Sequence, residues 1–168
     1  LDIGTICPLH GPVLTGDLSH YLALYDTWSA YRPEAEGVVI ACASVYGHTM
    51  AAAELLAREL QAKGQPVALY DLCRADLSLV TAEAFRYSRL VLASITYNGD
   101  VFPPMKEFLH HLTERNFRSR VVGLVENGSW APQAARIMKA ALEPCKDLTW
   151  LEPAVTVRSA LTEENRVQ

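Results

Sequence analysis

An α/β fold built on one doubly wound parallel sheet is what this sequence predicts, and three observations lead there. Residues 38–43, Val-Val-Ile-Ala-Cys-Ala, form an uninterrupted apolar run of the kind found in strands buried on both faces. A helical pattern follows, with Met50, Ala53, Leu56, Ala57 and Leu60 on one face. The same strand-then-helix cycle then repeats along the chain, as it does where helices cover a parallel sheet.

In chain order, residues 1–36 come first and stand apart. They carry Gly4, Pro8, Gly11, Pro12 and Gly16, then the aromatic residues Tyr21, Tyr25, Trp28 and Tyr31. Arg32-Pro33-Glu34-Ala35-Glu36-Gly37 reads as a linker into the strand at 38–43. Residues 44–48 break that strand, Thr49 is the expected N-cap of the first sheet-covering helix, and Gly64 its stop. A short strand is expected over 67–70, ending at Asp71, and a short helix over 81–87. The next strand is expected over 90–93, ending at Ser94 and followed by a polar loop through Asp100. Pro103-Pro104 opens a helix reaching about Arg115, since proline is tolerated in a first turn. A strand over 121–125 follows, then a loop, then a helix from Pro132 to about Leu142. Residues 149–151 and 154–157 read as a last strand interrupted by Pro153, and the polar tail from Glu163 is expected to fray. The resulting five strands suit an open sheet; a closed eight-stranded barrel needs more chain.

The 168 residues suit one domain of ordinary size, with half of them hydrophobic and 20% charged, a composition that excludes intrinsic disorder. A net charge of −4 recommends neither nucleic acid nor an anionic membrane as partner. No apolar run reaches the roughly 18 residues of a membrane span, and Leu1-Asp2-Ile3-Gly4 lacks the basic start of a signal peptide. It also lacks Met, which suggests an excised or processed segment. Cys7, Cys42, Cys73 and Cys145 are scattered with no C-x-x-C spacing, and reduced thiols in a cytoplasmic protein are expected. Cys42 lies in the apolar strand and reads as a small core residue.

Ligands of open α/β sheets bind beyond the carboxyl ends of the strands. Three strand ends here carry small and polar residues. The first loop, Ser44-Val45-Tyr46-Gly47-His48-Thr49, offers hydroxyls, a glycine and backbone N–H groups at a helix N-terminus, which is the chemistry of a phosphate cradle. With no Lys or Arg, it would hold the anion through neutral donors. The same residues also suit a capped turn with no ligand. The pattern is neither G-x-x-x-x-G-K-[ST] nor G-x-G-x-x-G, which disfavours a dinucleotide and leaves a mononucleotide. The second loop supplies Thr96, Tyr97, Asn98 and Gly99, and the third supplies Asn127, Gly128, Ser129 and Trp130. Each combines an aromatic with amide or hydroxyl donors, as a planar heteroaromatic ligand requires. Singly, Tyr97 and Trp130 would read as loop anchors; together at one sheet edge beside a phosphate cradle they point to a ligand.

These three loops, Ala43-Ser44-Val45-Tyr46-Gly47-His48-Thr49, Ser94-Ile95-Thr96-Tyr97-Asn98-Gly99 and Glu126-Asn127-Gly128-Ser129-Trp130, resemble the FMN loops of the flavodoxin-like domain of flavodiiron proteins, or A-type flavoproteins. The resemblance runs over residues 38–157. Upstream, Cys7-Pro8-Leu9-His10-Gly11-Pro12-Val13-Leu14 resembles the end of that family's metallo-β-lactamase-like domain, where the last iron-ligand histidine precedes Gly-Pro. Tyr25-x-x-Trp28-x-x-Tyr31 with Pro33-Glu34 resembles the segment joining the two domains. The resemblance implies a flavodoxin-like five-stranded sheet of order 2-1-3-4-5 over 37–160, preceded by a lactamase-like tail and linker over 1–36 and followed by a polar tail over 161–168.

It further implies FMN as cofactor, with Ser44, Val45, Tyr46, Gly47, His48 and Thr49 on the phosphate. Thr96, Tyr97, Asn98 and Gly99 would border one side of the isoalloxazine, and Asn127, Gly128, Ser129 and Trp130 the other. The family passes electrons from a rubredoxin-like or flavin reductase partner through FMN to a diiron centre that reduces O2 or NO, within a head-to-tail homodimer. His10 would be a single orphan iron ligand, so the diiron centre belongs to a full-length parent. His48 stands where the family often has Asn, and Ile95 where it often has Pro. An uncharged phosphate loop in an acidic chain leads to the expectation of a low potential for the last reduction step of the flavin. A stand-alone flavodoxin or an NAD(P)H:quinone-reductase-like flavoprotein is the alternative, opposed by the 36 residues before the first strand. A phosphate-switched receiver domain needs acidic residues where this chain has Ala43-Ser44 and Ala93-Ser94.

Overall fold

Strand β3 (Ala35–Ala43) organises the molecule, and its side chains alternate between two separate cores. In the computed structural model, which describes residues 2–163 and Asn165, Val39, Ala41 and Ala43 face one core and Val38, Ile40 and Cys42 the other. The chain begins with a two-stranded hairpin, β1 (Thr5–Ile6) and β2 (Leu14–Thr15), and helix α1 (Ser19–Ser29), none of whose residues is buried. After β3 come α2 (His48–Ala62), β4 (Val67–Asp71), α3 (Leu77–Arg86), β5 (Tyr87–Tyr97), β6 (Asp100–Val101) and α4 (Pro103–Glu114). They are followed by β7 (Val121–Asn127), α5 (Ala134–Ala141), β8 (Thr149–Trp150) and β9 (Val155–Val157).

The strands run β4-β3-β5-β7, and β8 and β9 share the place beyond β7. All these pairings are parallel. This is the expected 2-1-3-4-5 order, with the fifth strand divided in two around Pro153. Apolar residues of α3, α4 and α5, among them Val80, Phe108 and Met138, cover one sheet face. Ala52, Ala53 and Ala57 of α2 cover the other. Among the described residues, no helix is long and apolar enough to cross a membrane.

Several element bounds differ from the sequence expectations, each for a local reason. The segment 32–37 is only partly linker, because β3 starts at Ala35 and reaches β5 through a register shift between Ala35 and Val38. Gly37 sits at that irregularity, and a Cβ there would lie 2.6 Å from the Tyr87 ring. Helix α3 begins earlier than 81 because Asp76 caps it, its carboxylate accepting from the Ser78 N–H at 2.8 Å. It ends at Arg86, and Tyr87 already belongs to β5. Strand β5 does not stop at Ser94 but continues to Tyr97 and folds back on β6. Asn98 and Gly99, with φ of 51° and 73°, form the two-residue turn of that hairpin, which favours Asn-Gly because both positions need positive φ. Helix α5 starts at Ala134, two residues after the expected Pro132. The expected frayed tail lies mostly outside the described residues.

Candidate functional site

The carboxyl ends of β3, β5, β7 and β9 meet at one edge of the sheet, around a cavity of about 180 Å³. Eight of the fourteen residues singled out in the sequence line it. Ser44, Tyr46, His48 and Thr49 come from the first loop, Thr96 from the second, and Asn127, Gly128 and Ser129 from the third. Val45, Gly47, Tyr97, Asn98, Gly99 and Trp130 stand outside its wall. Tyr97 and Trp130 are 48% and 95% exposed, so the two aromatics project at the rim of a hydroxyl-rich cavity.

The first loop is held by its own residues. The Ser44 hydroxyl accepts from the Gly47 N–H at 3.1 Å, and Gly47 turns the chain with a φ of 85°. Gly47, not Thr49, is therefore the N-cap residue of α2, and no side chain caps that helix. The reason is the left-handed turn, which starts the helix at His48 and leaves Thr49 inside its first turn. The first-turn amides have no intrahelical acceptors and carry the positive end of the helix dipole. Thr49 is fully buried, and its Oγ1 has no hydrogen-bond partner among the described residues. A buried orphan hydroxyl is costly unless something satisfies it. The Cys73 thiol donates to the Ser44 carbonyl at 3.7 Å, bracing the loop from β4's end, and burial raises its pKa.

The second and third loops are joined through helix α5. Thr96 Oγ1 accepts from the N–H groups of Gln133 and Ala134 at 2.9 and 3.1 Å, so this hydroxyl caps α5. Its lone pairs are engaged and its O–H remains free to donate. The buried Glu126 carboxylate accepts from the Ala135 N–H at 3.0 Å and from the Thr156 hydroxyl at 2.9 Å, placing negative charge at the helix N-terminus. Gly128 is closely packed: a Cβ would lie 3.1 Å from Pro132 Cα and 3.3 Å from Thr96 Oγ1, so a side chain there would require these neighbours to give way. At the rim, Asp100 pairs with Lys106 at 2.6 Å, and that hydrogen bond holds its carboxyl below the usual range.

Ser159 and Ile95 complete the wall and were not among the residues singled out in the sequence. Ser159 follows β9, so the rule that located the other three loops applies to it as well. The signal was a Val-Thr-Val run ending in Arg158-Ser159. His10 is exposed in the segment between β1 and β2, far in sequence from this edge. Among the described residues, no group of three or more His, Cys, Asp or Glu side chains is placed to hold a metal ion. A larger cavity of about 610 Å³ lies at the opposite, amino-terminal edge of the sheet, between the segment after α1 and helices α3 and α4.

No family model matches the chain. It is 27% identical over 158 residues, 94% of its length, to a nitric oxide reductase of Moorella thermoacetica, of which it covers 39%. It is 26% identical over 99% of its length to a type A flavoprotein of Rhodobacter capsulatus, of which it covers 40%. The chain thus spans about two fifths of the length of these relatives. The flavodiiron protein of Giardia intestinalis superposes on 99% of the chain, and on 42% of its own, with a TM-score of 0.88 and 22% identity. A flavodoxin from the domain Archaea superposes on 79% of the chain, and on 90% of its own, with a TM-score of 0.67 and 17% identity. The homologues are flavodiiron proteins and oxidoreductases, and the fold is flavodoxin-like.

Proposed function

We propose that this chain is the FMN-binding electron-transfer part of a flavodiiron oxidoreductase. One observation carries the reading: the buried, unpartnered hydroxyl of Thr49 sits in the first turn of α2 and lines the cavity where the loops meet. That site offers a phosphate several donors and no competing carboxylate in its wall. The first-turn amides of α2 with Ser44, Tyr46, Gly47, His48 and Thr49 would hold the phosphate, with Val45 shaping the loop. The free O–H of Thr96 and the backbone around Gly128 and Ser129 would face the polar arm between phosphate and ring. Tyr97, with Asn98 and Gly99 in its turn, and Trp130 would flank the ring at the rim. The bound flavin supplies one- and two-electron chemistry, and the protein positions it.

The flavodiiron match supports this reading over a stand-alone flavodoxin, since it reaches 99% of the chain against 79% for the archaeal flavodoxin. In the parent protein, electrons would enter from a rubredoxin-like or flavin reductase donor and leave to a diiron site carried elsewhere, where O2 or NO is reduced. Residues 1–36 would then be the end of a lactamase-like domain and the linker, with His10 one of its iron ligands. The parent would work as a head-to-tail homodimer in the cytoplasm. The test is the visible spectrum of the purified chain after addition of FMN and removal of the excess. A retained, perturbed flavin spectrum is expected; a folded, colourless protein would sink the proposal.

A further inference from the structure

Ser159 reaches the cavity in an unusual way. Its φ of 71° lies in the left-handed region, where a glycine would be at ease and a serine is strained. Its backbone is gripped on both sides by one side chain. Asn127 donates from Nδ2 to the Ser159 carbonyl at 2.9 Å and accepts the Ser159 N–H on Oδ1 at 3.1 Å. The Gly128 N–H adds a bond to the Val157 carbonyl at 3.1 Å. The turn after β9 is thereby fastened to the loop after β7, and the exposed Ser159 is held against the cavity, its hydroxyl without a hydrogen-bond partner among the described residues.

Asn127 is 6% exposed, and this grip engages its oxygen and one of its two N–H donors. Backbone strain maintained by surrounding bonds is a pointer to function. The wall around Ser159 is rich in hydroxyls, from Ser44, Tyr46, Thr49, Thr96 and Ser129, while Tyr97 and Trp130 stand outside it. That is the chemistry of a polyol phosphate rather than of a flat ring.

We propose that Ser159 is a fourth-loop ligand of the phosphate-bearing polyol arm of the flavin, and that Asn127 is the positioning residue that presents it. This rests on the flavin reading above. Asn127 also lines the cavity, and the role assigned to it here runs through the Ser159 backbone.

The experiment is a fluorescence titration of the whole chain with FMN, riboflavin and lumiflavin, which carry the phosphorylated arm, the bare arm and no arm. Ser159→Gly removes the hydroxyl and relieves the backbone. It is expected to weaken FMN binding about three- to tenfold, the worth of one hydrogen bond, with lumiflavin binding unchanged and a thermal midpoint no lower than wild type. An equal loss for riboflavin assigns the contact to the polyol; a loss for FMN alone assigns it to the phosphate. Asn127→Ala is expected to weaken FMN similarly, and the double variant to lose no more than either single one, because both remove the same contact. Unchanged FMN affinity in Ser159→Gly, or a matching loss for lumiflavin, would overturn the role of Ser159. Additive losses would overturn the positioning role of Asn127. A wild-type chain that binds no FMN would instead overturn the flavin reading, and this inference with it.

Discussion

Arg120 donates from Nη1 to the carbonyl of Tyr31 at 2.6 Å, fastening the segment after α1 to the foot of β7. The same guanidinium donates from Nε to the Tyr87 carbonyl at 2.8 Å and from Nη2 to the Phe85 carbonyl in the last turn of α3. It is 3% exposed, and burial lowers its pKa. Among the described residues no carboxylate pairs with it; carbonyls, including those at the negative end of the α3 dipole, take that place. Arg118 stacks over the Tyr31 ring 5.5 Å from its centroid and strengthens the same junction.

Arg120→Met keeps the volume and strands these carbonyls. We expect a loss of about 2–4 kcal/mol in unfolding free energy, since several buried acceptors lose their donor together. Arg120→Lys should recover little of it, because an ammonium cannot reach the same spread of acceptors. FMN affinity should be unchanged in both, as the site lies at the other edge of the sheet. Urea denaturation with a flavin titration checks both parts; a loss of FMN binding at full stability would contradict this account.

Thr96 serves the fold and the site at once. Thr96→Val keeps the shape and removes the acceptor for the Gln133 and Ala134 amides. A lost cap costs about 1–2 kcal/mol, and the variant should also bind FMN more weakly, since its free donor is gone. Hydrogen exchange at the start of α5 should rise, and intact protection there would refute the capping role.

Much of this architecture was legible in the chain. The run at 38–43 announced a strand buried on both faces, and Pro103-Pro104 announced the start of α4, because both depend on neighbouring residues alone. The length of β5 was not legible: the polar residues after Ile95 read as loop, whereas Ile95 pairs with Asn127 of β7 and Thr96 and Tyr97 pair with Val101 and Asp100 of β6. The Asn98-Gly99 turn signal was present but passed for loop composition. At the site, the three loops were visible because their residues advertise phosphate and ring chemistry. Ser159 also follows a strand end, but its fastening to the site through Asn127, a contact spanning 32 residues, is not displayed by the sequence. The double duty of Thr96 is likewise a tertiary fact.

Gly47 is the position where the backbone's demand and that of the proposed phosphate would coincide. Nothing lies within 4 Å of a Cβ built there, so space does not forbid a side chain; the φ of 85° does. Gly47→Val forces a β-branched residue into the left-handed region and should cost about 1–3 kcal/mol. It should also weaken FMN binding by distorting the turn that starts α2. Gly47→Asn, which tolerates that region, should restore most of the stability. Equal stability of the Val and Asn variants would rule out the strain argument.

Cys42 predicts a pH dependence. Burial, the largest cause, pushes its thiol from the ordinary 9.0 up to about 12. The folded state therefore keeps the proton that the unfolded chain releases. Its contribution to stability is fully present below pH 9 and is lost as the pH rises from 9.0 towards 12. Cys73 and Cys145, also raised by burial, act in the same direction. Urea midpoints across that range should fall more steeply for the wild type than for Cys42→Ala. Identical slopes would show that the buried thiol does not control alkaline unfolding.

A Trp130 variant tests the proposed ring contact apart from the proposed phosphate contact. It is 95% exposed, stands outside the cavity wall and follows the glycine and serine that line it. Truncating it removes no core contact, so Trp130→Ala should leave the unfolding free energy within about 0.5 kcal/mol of wild type. A ring stacked against Trp130 would lose about 0.5–1.5 kcal/mol, or two- to tenfold in affinity, while the anchored phosphate keeps FMN bound. The visible spectrum and reduction potential of the bound flavin should shift, because the indole would no longer shield one side of it. FMN binding, spectrum and potential all matching wild type would place the ring elsewhere on this edge and leave Tyr97 as its aromatic neighbour.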